Sequence, residues 1–150
     1  GVMLMSAGAP ERCISMGTFL NLFRDDGGGR LTPIRLLAVD AYVLKSDFTT
    51  HQGNVHALVL EQGSYVLTPT IANPYFTPTE VPRARFTVTP GTIVYIGEYF
   101  LTRSCSAMTY AEIRDQGSRD LAIATFKNPG LARLPVVTQL AAFVVNDKAK

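Results

Sequence analysis

The chain has no tryptophan, and its 150 residues include only two cysteines and two histidines. That scarcity excludes the common zinc sets. Neither Cys13 nor Cys105 belongs to a CxxC pair, and no histidine stands near either at ligand spacing. His51 and His56 lie five residues apart, so in extended chain they point to opposite faces. No metal site is expected. A basic cluster is also missing: 14 basic and 12 acidic residues are spread along the chain for a net charge of +2. Only the terminal "NDKAK" gathers lysine, so no nucleic-acid partner is expected. No apolar run approaches the roughly 20 residues that a membrane-spanning helix needs.

The signatures of catalysis are scarce as well. There is no phosphate-cradling glycine loop, no dinucleotide fingerprint, and no strand-turn-helix frame around any serine. Glu61, Glu98 and Glu112 are scattered and nominate no acid pair by spacing. Cys13 has no nucleophile signature around it. The chain is therefore expected to be no enzyme and to carry no cofactor.

What is present describes one folded domain. Hydrophobic residues make up 47% and charged residues 17%, ordinary values for a globular chain of this length. The start, "GVMLMSAGAP", is apolar but short and lacks the basic flank of a signal peptide. Beginning at Gly1, it reads as a processed end, and residues 1–11 as a flexible N-terminal segment. "RDDGGGR" is a loop; a calcium loop would need carboxylates at alternate positions and a closing Glu.

Strand patterns follow one another through most of the chain. In "RCISMGTFLNLF", Ile14, Met16, Leu20 and Leu22 share a face. "IRLLAVDAYVLKSDF" is one long strand or two joined at Asp40. "NVHALVL" and "YVLTPTI", separated by "EQGS", predict a hairpin, with Tyr65, Leu67 and Ile71 on one face and Pro69 at an edge or bulge. "ANPYFTPTEVPRA", with Pro74, Pro78 and Pro82, is a surface connection whose Tyr75 and Phe76 either pin it to the core or form an exposed contact.

"FTVTPGTIVYIGEYFLT" is the most regular passage. Phe86 and Val88 point one way, and Pro90-Gly91 turns the chain. Ile93, Tyr95, Tyr99 and Leu101 then occupy one face, and Val94, Ile96 and Phe100 the other. Both faces being apolar, the second must be covered by the C-terminal segment or another subunit. Gly97 suits a bulge or a close backbone approach. "SAMTYAEIR" predicts another strand. "SRDLAIATFK" predicts a short helix with Ser118 as N-cap, Asp120 in the first turn and Lys127 in the last, stopped by Pro129-Gly130. The tail "LARLPVVTQLAAFVV" is the natural cover for the doubly apolar strand. The expected fold is an all-β sandwich of about seven strands with one short helix near the C-terminus, a single domain over residues 1–150.

Cys13 and Cys105 admit two readings. They are buried thiols acting as small hydrophobes, or one disulfide worth about 4–5 kcal/mol in the chain-entropy model, implying an oxidising compartment.

"EQGSYVL", "RFTVTPGTIVYIGEYFL" and "RDLAIATFKNPGL" together resemble small bacterial envelope proteins of unknown function, often predicted lipoproteins with a compact β-sandwich. The matching positions are Gly63, Tyr65 and Leu67, then Phe86 to Gly91, Val94 to Gly97, and Arg119 to Pro129, roughly the second half of the chain. The resemblance implies secretion to the periplasm or an outer-membrane-anchored place in the envelope. It also implies a lipid on an N-terminal cysteine. Here Cys13 lies in a strand-like run and Gly1 stands where that cysteine would be, so lipid attachment is an expectation about a precursor.

The expected function is a non-enzymatic secreted or lipid-anchored envelope protein, a binding or structural module whose partner is an envelope protein or a small molecule. One alternative is a small-ligand binder with a cleft lined by Tyr75, Phe76, Tyr95 and Tyr99. Another is a hydrolase with a site assembled from distant residues. A homodimer through Val94, Ile96 and Phe100 stays open if the tail leaves them uncovered.

Overall fold

The computed structural model describes residues 1–14, 17–41, 44–71, 75, 80–103, 105 and 111–145. They form β1 (Val2–Ala9), β2 (Thr18–Asp25), β3 (Leu31–Ala38), β4 (Gln52–Val59), β5 (Gly63–Ile71), β6 (Ala84–Val88), β7 (Ile93–Leu101) and β8 (Ala111–Arg114). The helix α1 (Gly117–Lys127), a 3-10 turn (Pro129–Arg133) and β9 (Val136–Thr138) follow. One sheet runs β4-β1-β7-β8 with β9 also on β7, and the other runs β3-β2-β5-β6. Side chains of both sheets, among them Met3, Met5, Leu20, Leu22, Leu67, Phe86, Val94 and Ile96, share one core. The described residues are mostly β, with two sheets and one α-helix, as the periodicity predicts. Nine strands stand among the described residues where about seven were expected; the additions are β1 and the short β9.

The first of these is the main correction. Residues 1–11, expected to be flexible, contain β1, whose eight residues are all buried. It pairs antiparallel with β4 and parallel with β7. A strand covered on both faces needs no polar alternation, so "VMLMSAGA" carries none of the usual amphipathic signal. Met3, Met5 and Ala7 face the other sheet, while Val2 and Leu4 pack toward Ala124 and Leu131 on the helix side.

The central strand β7 has a break in parity. Its register with β1 runs Leu4 with Tyr95, then Ser6 with Glu98, so β7 holds one extra residue there. Gly97 sits at that point with φ +99°. Beyond it the faces swap. Val94, Ile96, Tyr99 and Leu101 share the inter-sheet core, whereas Ile93 and Tyr95 lie on the helix side. A strict alternation, with Tyr95 and Tyr99 on one face, is thus corrected by the bulge that Gly97 provides.

Neither predicted turn joins paired strands. "EQGS" carries the chain from β4 in one sheet to β5 in the other, and Pro90-Gly91 carries it from β6 back to β7. Each strand finds a better partner elsewhere: β4 on β1, and β5 between β2 and β6. Tyr65 and Leu67 are buried as expected. Pro69 lies beyond the end of the β6 ladder at Leu67, where a missing amide costs nothing on that side.

Other expectations shift locally. Ile14 is 81% exposed and precedes β2, and Met16 lies outside the described residues. β3 ends at Ala38, and Asp40 turns the chain, its buried carboxylate accepting the Thr18 amide at 2.7 Å. Ser118 is inside α1; Gln116 is the N-cap residue and makes no side-chain cap bond. Asp120 and Lys127 fall in the first and last turns as predicted.

The tail covers β7 along its edge. β9 pairs with Ile93 to Tyr95, the Ala141 amide donates to the Ile96 carbonyl at 2.9 Å, and Val144 and Arg83 then exchange bonds at 2.9 Å on the β6 side. The second face of β7 is covered instead by α1 and the 3-10 turn. Val94 and Ile96 are buried in the core and Phe100 is 8% exposed, so those three side chains offer no open surface to a second copy.

His56 pairs across from Met5 and faces the core. Burial pushes its imidazole down to about 4, and its Nε2 has no partner among the described residues. The unfolded chain therefore binds the extra proton between pH 6.5 and 4, and stability falls as pH drops through that window. Asp40, raised by burial, titrates with the opposite sign. The measurement is consequently a comparison: chemical denaturation at pH 7.5 and 4.5 should show a loss smaller in His56→Gln than in wild type, by up to about 3 kcal/mol. Equal losses would contradict the buried neutral ring.

A Cβ at Gly97 would meet the Ile113 side chain at 2.8 Å in addition to its positive φ, whereas one at Gly91, φ +70°, meets nothing within 4 Å. Gly97→Ala should cost about 2–3 kcal/mol in urea denaturation and Gly91→Ala about 1 kcal/mol. Equal costs would remove the bulge argument.

Candidate functional site

Between the first sheet and α1 the fold buries a polar cluster. Two glycines begin it. Gly8 on β1 pairs with Gly53 on β4, and a Cβ on Gly8 would lie 3.1 Å from the His51 ring, one on Gly53 2.8 Å from the Phe48 ring. The bare backbone is a bed on which both rings lie, stacked on each other at 4.5 Å. Ser46 shapes this segment: its hydroxyl donates to the His51 carbonyl at 2.9 Å and accepts the Phe48 and Gly53 amides at 3.1 Å. Asp47 ties it to the end of α1 through Lys127 Nζ at 2.7 Å. Despite burial, Lys127 and the Val55 amide hold the Asp47 carboxyl below the usual range.

Beneath the rings lie Glu98 and Asp120, both fully buried. Arg119 bridges them, its Nη2 donating to Glu98 Oε1 at 2.9 Å and to Asp120 Oδ1 at 2.8 Å. The same nitrogen donates to Ser6 Oγ at 3.0 Å, and the guanidinium lies 4.1 Å from the centre of the Phe48 ring. Ser6 Oγ donates to Asp120 Oδ2 at 2.6 Å, and the Tyr95 hydroxyl donates to the same oxygen at 3.1 Å while accepting the Gln116 amide at 2.9 Å. His51 Nε2 stands 3.2 Å from Glu98 Oε1.

The electrostatics follow from this geometry. Burial lowers the Arg119 guanidinium, but Asp120 and Glu98 outweigh it and raise it overall. Burial, assisted by the Asp120 carboxylate, pushes the Tyr95 phenol well up, so it stays a donor. Ser6 Oγ thus accepts from Arg119 and donates to Asp120, so both sides of the hydroxyl are engaged within the cluster. Among the fully buried polar atoms of the cluster, Glu98 Oε2 has no hydrogen-bond partner among the described residues. The arrangement fastens α1 and the 44–51 segment to the sheet.

Of the predicted aromatic site, Tyr95 and Tyr99 are not brought together. Tyr75 is 96% exposed, and Phe76 lies outside the described residues. Tyr95 faces the cluster and Tyr99 the inter-sheet core, on opposite sides of the bulge. Tyr99 does line a half-open cleft of about 230 Å³ with Pro69, Pro82, Ala111, Glu112, Ile113 and Phe143. Its ring meets Phe143 edge to face at 5.3 Å. Cys13 and Cys105 lie at disulfide distance, Cα to Cα 5.1 Å.

Sequence reasoning missed Ser6, Glu98, Arg119 and Asp120 as a group. One signal was available: Glu98 is a carboxylate inside the most apolar strand. Removing the shared cation leaves two buried carboxylates uncompensated. Arg119→Met should cost about 3 kcal/mol, and adding Glu98→Gln should recover part of that loss, as read from urea midpoints. A double variant no better than Arg119→Met would exclude the coupling. No family model, curated protein or solved structure matches the chain.

Proposed function

We propose that this chain is a non-enzymatic β-sandwich module of an oxidising compartment, a secreted or lipid-anchored bacterial envelope protein that binds or builds. The observation that carries the reading is the Cys13–Cys105 pair, 92 residues apart in sequence and at disulfide distance. Such bonds persist outside the reducing cytosol and are rare within it. The buried cluster supports the non-enzymatic part: Ser6, Glu98 and Asp120 are buried and bonded to one another or to Arg119. The two sheets packed on a common core support the sandwich.

A second reading rests on the cleft. Its lining by Tyr99, Phe143, Ile113 and two prolines suits a small ring or short aliphatic group, below the size of a drug-like ligand. In this reading the module's partner is a small apolar molecule held in this cleft, with Glu112 in its lining.

The compartment is tested by intact mass after alkylation, with and without reduction, on protein isolated from its own cell. Thiols that resist alkylation in denaturant until reduced support the envelope reading, and thiols freed by denaturant alone end it. The cleft is tested by thermal shift across small aromatic and aliphatic compounds. Stabilisation that disappears in Phe143→Ala is expected; a response unchanged by that substitution places binding elsewhere.

A further inference from the structure

A sheet presents unpaired amides and carbonyls along its outermost strands, and most such edges here are closed or guarded. β3 ends the second sheet with Pro33 and an exposed Arg35 on either side of an inserted residue, Ile34. The start of β4 is bound by the 44–51 segment, where Asp47 Oδ2 accepts the Val55 amide and the Asp47 amide donates to the Gly53 carbonyl, both at 2.8 Å. On β6 the Thr87 amide donates to Gln139 Oε1 at 3.3 Å, and Arg83 exchanges bonds with Val144. β8 carries the solvent-accessible ion pair of Glu112 and Arg114.

β9 has no such guard. The Ile93 amide donates to the Pro135 carbonyl and the Gln139 amide to the Tyr95 carbonyl, both at 2.8 Å. Ile93 stands opposite Val136 and Tyr95 opposite Thr138 in this parallel ladder. The bonds to β7 therefore use Pro135, Val137 and Gln139, and Val136 and Thr138 turn their amides and carbonyls away from it. Nothing among the described residues pairs with that edge. Val136, Val137 and Thr138 are all exposed, and from Leu134 to Val145 the chain holds no charged residue.

These properties suit one occupant, a second copy of the same strand. Two donors and two acceptors flank Val137, and a twofold axis at Val137 sets each donor against an acceptor. Val136 then exchanges both bonds with Thr138 of the second copy, and the two Val137 residues face each other as a non-hydrogen-bonded pair. A twofold also places like beside like, which a charged strand resists and this neutral one does not. We propose that β9 is a dimer edge: two copies of this chain pair their β9 strands antiparallel about Val137, joining their first sheets into one. The strand order across the join is β4-β1-β7-β9, followed by the same strands reversed. The tail thus covers β7 with one edge and offers the other to a second copy. The proposal depends neither on the compartment nor on the cleft.

Sedimentation equilibrium of the full chain over rising concentration should show a reversible exchange between monomer and dimer. Val137→Lys puts two like charges on the axis and should weaken the dimer by about tenfold or more. Val59→Lys, at a residue 84% exposed on β4, should leave it unchanged. Monomer alone at every concentration, a dimer indifferent to Val137→Lys, or growth beyond two copies overturns the proposal. The register is read by oxidative crosslinking, with the linked peptides identified by mass spectrometry. Val137→Cys should give a linked dimer, because the Cα atoms of a non-hydrogen-bonded pair stand about 4.5 Å apart, within disulfide reach. Val136→Cys should not link to itself, its own copy being offset by two residues, but should link to Thr138→Cys when the two variants are mixed. Self-linking of Val136→Cys in place of the mixed pair overturns the proposed register.

Discussion

The parallel ladder between β1 and β7 joins the start of the chain to its most apolar strand, and the extra residue at Gly97 within that ladder decides where a charge goes. Without the bulge, Glu98 would follow Ile96 by two positions on the face turned toward the other sheet. A carboxylate there would stand among Leu20, Leu67 and Phe86 with no cation at hand, a cost of several kcal/mol. With the bulge, Glu98 turns to the helix side and meets Arg119, and Tyr99 and Leu101 take the core positions. Only glycine holds the required φ at low cost, and only glycine leaves room for Ile113 beside it.

The cluster that results joins four pieces of chain distant in sequence: Ser6 on β1, the 44–51 segment, Tyr95 and Glu98 on β7, and Arg119-Asp120 on α1. Hydrophobic contact of Leu4, Ile93 and Tyr95 with Ala124 and Leu131 supplies the non-directional part of that attachment. The hydrogen bonds supply the direction, because α1 can seat its first turn on the sheet in only one way that pairs both carboxylates. A buried network of this kind adds little net stability against an apolar alternative, but losing one member is costly. Its physical effect is to fix the register of helix on sheet.

The opposite arrangement holds at Asp40. There the buried carboxylate accepts the Thr18 amide at 2.7 Å, and burial raises it. Glu98 and Asp120 are thus paired with Arg119 and Asp47 with Lys127, whereas Asp40 stands near the cysteine pair with its carboxyl raised by burial. The open cleft at Tyr99 and Phe143 is a third environment, mostly apolar.

The sequence by itself determined the β class, the positions of β2 and β4 to β7, and the single helix with Asp120 and Lys127 at its ends. Those follow from local periodicity and from glycine and proline, which act on the residues next to them. It also singled out Gly97 and the doubly apolar β7, and it raised the cysteine pairing without deciding it. Tertiary structure decided the rest. β1 looked like a loose end because a strand buried on both faces has no alternation to read, and its partners lie far along the chain. The predicted hairpin at "EQGS" and the Pro90-Gly91 turn became crossings between sheets because a turn sequence says where the chain bends and not which strand it will pair with. Of the candidate site, Tyr95 was legible as an aromatic and Glu98 only as a scattered carboxylate. Their meeting with Ser6, His51 and Arg119 depends on one inserted residue and on long-range pairing, neither of which leaves a local pattern.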